Sequence, residues 1–176
     1  MFGGIGSIIQ AAATVLGVLI GAGWTIYLFM HRRGEFPRAN ITHKIIDRRI
    51  EDDKIFLRVD VSIANVGDVL LQIEHGIVRV NQILPVPEDL LEAINASGGT
   101  DDFNDSETKW PNLVACEQDW IIEMFEIEPT ETDEVNYDFV VPFGVKTVEV
   151  YTYFRNVKKR PREIGWGHTS IHEIAD

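Results

Sequence analysis

The sequence predicts a mainly β fold, a sandwich or small barrel with one short helix, carried behind a single N-terminal transmembrane helix. Three observations predict it. No charged side chain occurs from Phe2 to Met30. Beyond that point, apolar residues alternate with polar ones in several short runs separated by polar turns, the period of half-buried strands. Finally, the chain has 176 residues, so removing the apolar segment leaves roughly 140, the size of one compact domain. The boundaries expected are a transmembrane helix over 1–30, a basic juxtamembrane linker over 31–40 and a β domain over 41–176.

Ile8 to Met30 contains only Gln10, Thr14 and Thr25 as strongly polar interruptions. At about 1.5 Å per residue this stretch covers roughly 35 Å, against roughly 30 Å of bilayer hydrocarbon. It lacks the basic leader and small-residue cleavage site of a signal peptide, and it stops at His31-Arg32-Arg33. Trp24 and Tyr27 sit where aromatic anchors mark the membrane interface. Arg32 and Arg33 hold that end in the cytoplasm by the positive-inside rule. The expectation is a single-pass protein of the plasma (inner) membrane, N-terminus outside and β domain cytoplasmic. Ala13, Gly17 and Gly21 recur every four residues, a small-residue stripe along which helices could self-associate.

The net charge of −12 is unevenly placed. Residues 31–50 carry Arg32, Arg33, Arg38, Lys44, Arg48 and Arg49 against Glu35 and Asp47, and a second basic cluster spans Arg155, Lys158, Lys159, Arg160 and Arg162. The acidic remainder repels a phosphate backbone, which excludes nucleic acid as a partner. Cys116 is the only cysteine, so no intrachain disulfide forms.

Gly34 to Pro37 breaks the helix pattern. Ile41 to Ile50 and Ile55 to Ile63 then read as a hairpin around Glu51-Asp52-Asp53-Lys54. In the second strand Ile55, Leu57, Val59, Val61 and Ile63 share the dry face. Val69 to Ile73 and Ile77 to Leu84 read as two further strands, and Pro87 to Ile94 as a short helix with carboxylates in its first turn. Ser97 to Asn112 reads as an exposed polar loop. Strand signals resume over Leu113 to Cys116, Trp120 to Ile127, Val135 to Val141 and Val145 to Phe154.

Two pieces, Ile63-Ala64-Asn65-Val66-Gly67-Asp68 and Ile127-Glu128-Pro129-Thr130-Glu131-Thr132, resemble immunoglobulin-like sandwich modules, in which a strand ends in an Asn-x-Gly turn and a Pro-containing turn precedes the closing strands. The resemblance covers about Ile55 to Phe154 and implies an immunoglobulin-like β-sandwich. The glycine that usually follows the proline is absent here. No catalytic or ligand-binding residues carry over, and such modules serve adhesion, spacing or recognition.

The acidic loop with Asp101, Asp102, Asn104, Asp105 and Glu107 fails the calcium-loop pattern, because Glu107 replaces its glycine and Leu113 its bidentate glutamate. His168 and His172 would share a helix face but lack further ligands, so they read as terminal surface residues. Cys116 lies in an apolar strand pattern and reads as a core residue. Neither catalytic, cofactor nor metal residues are assigned. The most interaction-like stretch is Tyr151, Tyr153, Arg155, Lys158, Lys159, Arg160 and Trp166, since arginine and aromatic side chains anchor binding surfaces. The functional expectation is a non-enzymatic recognition module tethered to the lipid bilayer and binding a protein partner. The alternatives are a ligand-sensing membrane effector whose transmembrane helices form homo-oligomers, and an enzyme of unrecognised type.

Overall fold

The computed structural model describes residues 3–34, 36–51, 53–96, 110–120, 125–157 and 163–175. Its elements are α1 (Gly3–Gly34), β1 (Ala39–Glu51), β2 (Lys54–Asn65), β3 (Leu71–Leu84), α2 (Glu88–Ala96), β4 (Asn112–Asp119), β5 (Phe125–Ile127), β6 (Thr132–Pro142), β7 (Thr147–Asn156) and β8 (Gly165–Glu173). The described strands form two antiparallel sheets. The smaller runs β1-β2-β6; the larger runs β4-β3-β7-β8, with β5 beside β3.

Alternation places the core between the sheets. From the smaller sheet come Leu57, Val59, Val61 and Ile63 of β2 with Tyr137, Phe139 and Val141 of β6. From the larger come Leu71, Ile73, Val78 and Val80 of β3 with Val148, Val150 and Phe154 of β7. The β1–β2 hairpin forms as its pattern predicts, with Ile41 opposite Ile63 and Ile45 opposite Val59.

One correction concerns β3, which is a single strand where the sequence reads as two. Its inward residues are Leu71 and Ile73, then Gly76, Val78 and Val80. The change of parity looks like a break, but an irregularity between Ile73 and His75 absorbs the extra residue and returns the strand to the core. Gly76 is buried there, and an added Cβ would lie 2.8 Å from the Phe154 ring and 2.9 Å from that of Trp120. Gly76→Ala is expected to cost about 1 kcal/mol by forcing these rings apart, read as a lowered urea midpoint; an unchanged midpoint would show that the rings yield freely.

The Pro-containing turn also forms. Glu131 N–H donates to Glu128 O at 3.1 Å across Pro129 and Thr130, and Thr130 takes φ 71°. This is where such turns favour glycine or asparagine, so a β-branched residue is strained in it. Thr130→Asn is expected to stabilise the domain by about 0.5–1 kcal/mol, measurable as a raised denaturation midpoint.

A second correction is β8. The stretch containing His168 and His172 is a strand paired along β7, not a helical or peripheral tail. Its inward residues Trp166, His168, Ser170 and His172 are mostly polar, so the hydrophobic alternation that betrays other strands is missing. Trp120, expected within a strand, lies outside β5.

On α1 the described side chains are Gln10 and residues 13–28. Among the described residues, no helix is long and apolar enough to cross a membrane, so the single-pass helix expected over 1–30 is not supported by the described part of α1. Val15, Leu16, Val18, Leu19, Ile20, Trp24, Ile26 and Tyr27 are all exposed.

Candidate functional site

The sandwich brings together two groups of functional side chains, one where β1 meets β8 between the sheets and one on the outer face of the larger sheet.

The first is a polar seam. β1 and β8 are edge strands of opposite sheets, and where their inward faces meet the apolar core gives way to hydrogen-bonding groups. His43 of β1 reaches both neighbouring strands, with Nε2 2.8 Å from Thr152 Oγ1 of β7 and Nδ1 3.0 Å from Ser170 Oγ of β8. Ser170 Oγ also lies 3.3 Å from His168 Nε2, and the His43 and His168 rings meet edge to face with centroids 4.6 Å apart. One turn of the pleat further along, His172 Nε2 lies 2.7 Å from Asp47 Oδ1, while Asp47 Oδ2 accepts from Ala175 N–H at 3.1 Å.

A neutral imidazole offers one donor and one acceptor, and the hydroxyls of Thr152 and Ser170 can match either. Burial, reinforced by the nearby His168, lowers the His43 pKa to about 4. The ring is therefore neutral at pH 7, linking three strands as a hydrogen-bonding group. His168 and His172 share the inward face of β8 but take different partners. Among the described residues no group of three or more His, Cys, Asp or Glu side chains is placed to hold a metal ion.

The second group lies on the outer face. Tyr151, Tyr153 and Arg155 of β7 alternate outward beside Ile77 and Arg79 of β3, with Tyr153 opposite Ile77 and Tyr151 opposite Arg79. The tyrosine rings lean on the glycines of β8. The Tyr153 ring occupies the space a Cβ on Gly165 would need, and Tyr151 comes within 3.5 Å of one built on Gly167. Arg155 Nε lies 2.8 Å from Glu74 Oε1, an ion pair without hydrogen-bond alignment. Trp166 turns the other way and packs against the core opposite Phe154. Lys158, Lys159 and Arg160 lie outside the described residues, as do Asp101, Asp102, Asn104, Asp105 and Glu107 of the acidic loop. The stretch that reads as one surface is thus divided between two faces.

On the opposite side of the sandwich Cys116 packs against the core from β4, opposite Val78. The buried Tyr137 hydroxyl has no hydrogen-bond partner among the described residues, and burial, with Cys116 nearby, pushes its pKa up. Trp24 and Tyr27 stack on α1 at 5.7 Å. Ala13, Gly17 and Gly21 are exposed, with open space around the two glycines. The side chains of Arg32 and Arg33 lie outside the described ones.

Sequence reasoning missed His43, Asp47, Thr152 and Ser170. The one available signal was a histidine and an aspartate on the apolar-facing parity of β1, at positions where Ile41 and Ile45 predict burial.

No protein-family model matches the chain, and no curated protein matches it. Among solved structures, a Northeast Structural Genomics Consortium target is 11% identical over 81% of this chain and 89% of its own, with a TM-score of 0.47. A protein from Archaeoglobus fulgidus is 4% identical over 80% of this chain and 98% of its own, TM-score 0.37. Beta-glucosidase 3B from Thermotoga neapolitana is 12% identical over 78% of this chain but only 17% of its own, TM-score 0.30. Likenesses this distant carry no functional argument.

Proposed function

We propose that the chain is a membrane-tethered recognition module: α1 anchors it in a lipid bilayer, and an immunoglobulin-like sandwich on the cytoplasmic side binds a protein partner. The observation that carries the tether is the character of α1. Val15, Leu16, Val18, Leu19 and Ile20 expose large apolar side chains over more than half of the helix circumference, and the remaining side carries Ala13, Gly17 and Gly21 with the uncharged Gln10, Thr14 and Thr25. A helix that exposes so much apolar surface and has no charged face belongs against a protein core or in a membrane. Its hydroxyls are closed within the helix, Thr14 Oγ1 donating to Gln10 O at 2.9 Å and Thr25 Oγ1 to Gly21 O at 2.8 Å, as hydrocarbon surroundings demand.

The strand order supports the immunoglobulin-like reading. With β1, β2, β3, β6, β7 and β8 taken as strands A, B, C, E, F and G, the two sheets are A-B-E and C-F-G, and β4 extends the second beside C. Recognition is assigned to the outer face around Ile77, Arg79, Tyr151 and Tyr153, where aromatic and arginine side chains share a solid, sheet-backed surface.

The tether is tested by alkaline washing of membranes from cells expressing the chain. Wild type is expected in the pellet, and Leu16→Arg/Leu19→Arg in the supernatant, each arginine costing about 3 kcal/mol at mid-bilayer. Wild type washed free would sink the tether. The recognition face is tested by a photo-crosslinking residue at Thr169, beside Tyr151, in native membranes. One discrete adduct lost on Arg79→Glu supports it; an unchanged adduct pattern does not.

A further inference from the structure

The two edges of the smaller sheet are charged with opposite sign. Among the described residues, β1 and β6 each pair on one side only, both with β2. The outward-facing residues of β1 are Asn40, Thr42, Lys44, Ile46, Arg48 and Ile50, with two cations and no acid. Those of β6 include Glu134, Asn136, Asp138 and Val140, two acids and no cation on the strand itself, with Asp138 also 4.0 Å from Arg58 of the neighbouring β2. Lys44, Arg48, Glu134 and Asp138 are all exposed. Charges on open edges ordinarily block sheet extension. Here they block only the pairing of like edges, β1 with β1 or β6 with β6, while unlike edges attract.

Strand direction gives the same answer independently. Two identical edges can pair only antiparallel, about a two-fold axis, which would send their α1 helices to opposite ends of the dimer. Copies held in one membrane all point the same way, so that arrangement is closed to them. Unlike edges suit the tether. Since β1 and β6 are both antiparallel to β2, they are parallel to each other, and a copy shifted sideways along the membrane presents its β1 parallel to β6. The registers through β2 place Lys44 level with Asn136, both opposite Asp60. An unstaggered neighbour would therefore set its Lys44 between Glu134 and Asp138.

We propose that the smaller sheet binds a second copy of this chain, the acidic edge of β6 adding the basic edge of a neighbour's β1 in parallel, so that domains line up in rows along the membrane. The inference rests on the tethered reading of α1. The contact is heterologous and open-ended, so it propagates instead of closing as a dimer. Each contact is weak, and confinement to a surface supplies the effective concentration that drives it.

The test uses the whole chain in native membranes in a Cys116→Ser background, washed with alkali before a short bis-maleimide is added. Chains carrying Thr42→Cys, on β1, are expected to crosslink to chains carrying Asn136→Cys, on β6, and neither kind to itself. Lys44→Glu/Arg48→Glu on the first chain should reduce the product about tenfold, and Glu134→Lys/Asp138→Lys on the second should restore it. Equal crosslinking of like positions, or no response to the charge reversals, would overturn the proposal. Chains retained in the washed pellet without crosslinks would overturn the rows and leave the tether standing. Chains lost from the pellet would overturn the tether, and the rows with it.

Discussion

Asn65→Ala is expected to destabilise the domain by about 4 kcal/mol, more than any other single polar substitution proposed for it. Asn65 ends β2 and is 2% exposed. Its Nδ2 donates to Val69 O and to Ile127 O, both at 2.9 Å, and its Oδ1 accepts from Gly67 N–H at 3.0 Å. Its backbone adds two more bonds, N–H to Glu131 O at 2.9 Å and O from Thr130 N–H at 3.1 Å. One amide thus holds the turn after β2 and ties it to β5 of the other sheet. Alanine would strip a partner from three backbone groups in a buried setting, each loss worth about 1–3 kcal/mol. Asn65→Asp tests the chemistry at nearly constant shape, because a carboxylate keeps the acceptor but turns the two donated bonds into repulsions with carbonyl oxygens. Urea denaturation should show both variants well below wild type; a loss under about 1 kcal/mol for Asn65→Ala would mean that the turn is held by its backbone alone.

The second large effect is pH dependence at the β1–β8 seam. Burial first, and His168 second, lower the pKa of His43 to about 4 from its ordinary 6.5. Above pH 6.5 the ring is neutral in both folded and unfolded chains and contributes no slope. Between 6.5 and 4 the unfolded chain takes up the proton while the folded one resists it, so stability falls as pH falls. The shift corresponds to roughly 3 kcal/mol; because the ring is only partly buried, solvent screening brings the expected loss to about 2 kcal/mol. Carboxylates titrate over the same range, so the measurement is the difference between wild type and His43→Gln. Glutamine can still bond to Thr152 and Ser170 but takes no proton. Wild type should lose about 2 kcal/mol more than the variant between pH 7 and 4. Parallel stability curves would mean that His43 is hydrated in the folded protein.

Much of this architecture follows from local pattern. The β1–β2 hairpin, the alternation of β2, β6 and β7, and the two turns at Asn65-Val66-Gly67 and Pro129-Thr130 are each written in a few consecutive residues. Apolar period and turn chemistry act over that range. The same holds for the apolar run of α1. Where a strand carries polar residues on its inward face, as β8 does, the pattern fails, because histidine and serine are tolerated there only by virtue of partners on another strand. Where a strand changes parity, as β3 does at Gly76, local reading finds a break that a bulge repairs.

The sequence by itself therefore determined which segments extend, where the chain turns, and that a charge-free segment precedes an acidic β domain. Tertiary structure alone decided that His43 meets Thr152 and Ser170 and that Asp47 meets His172, since each contact joins β1 of one sheet to β7 or β8 of the other and forms only when the two sheets stack. It also decided that Trp166 faces inward while Tyr151 and Tyr153 face outward, and that the basic edge of β1 and the acidic edge of β6 lie at opposite sides of one sheet. The reason is physical: periodicity tells which face of a strand is dry, whereas strand order, which decides what that face or edge meets, comes from packing between segments far apart in the chain.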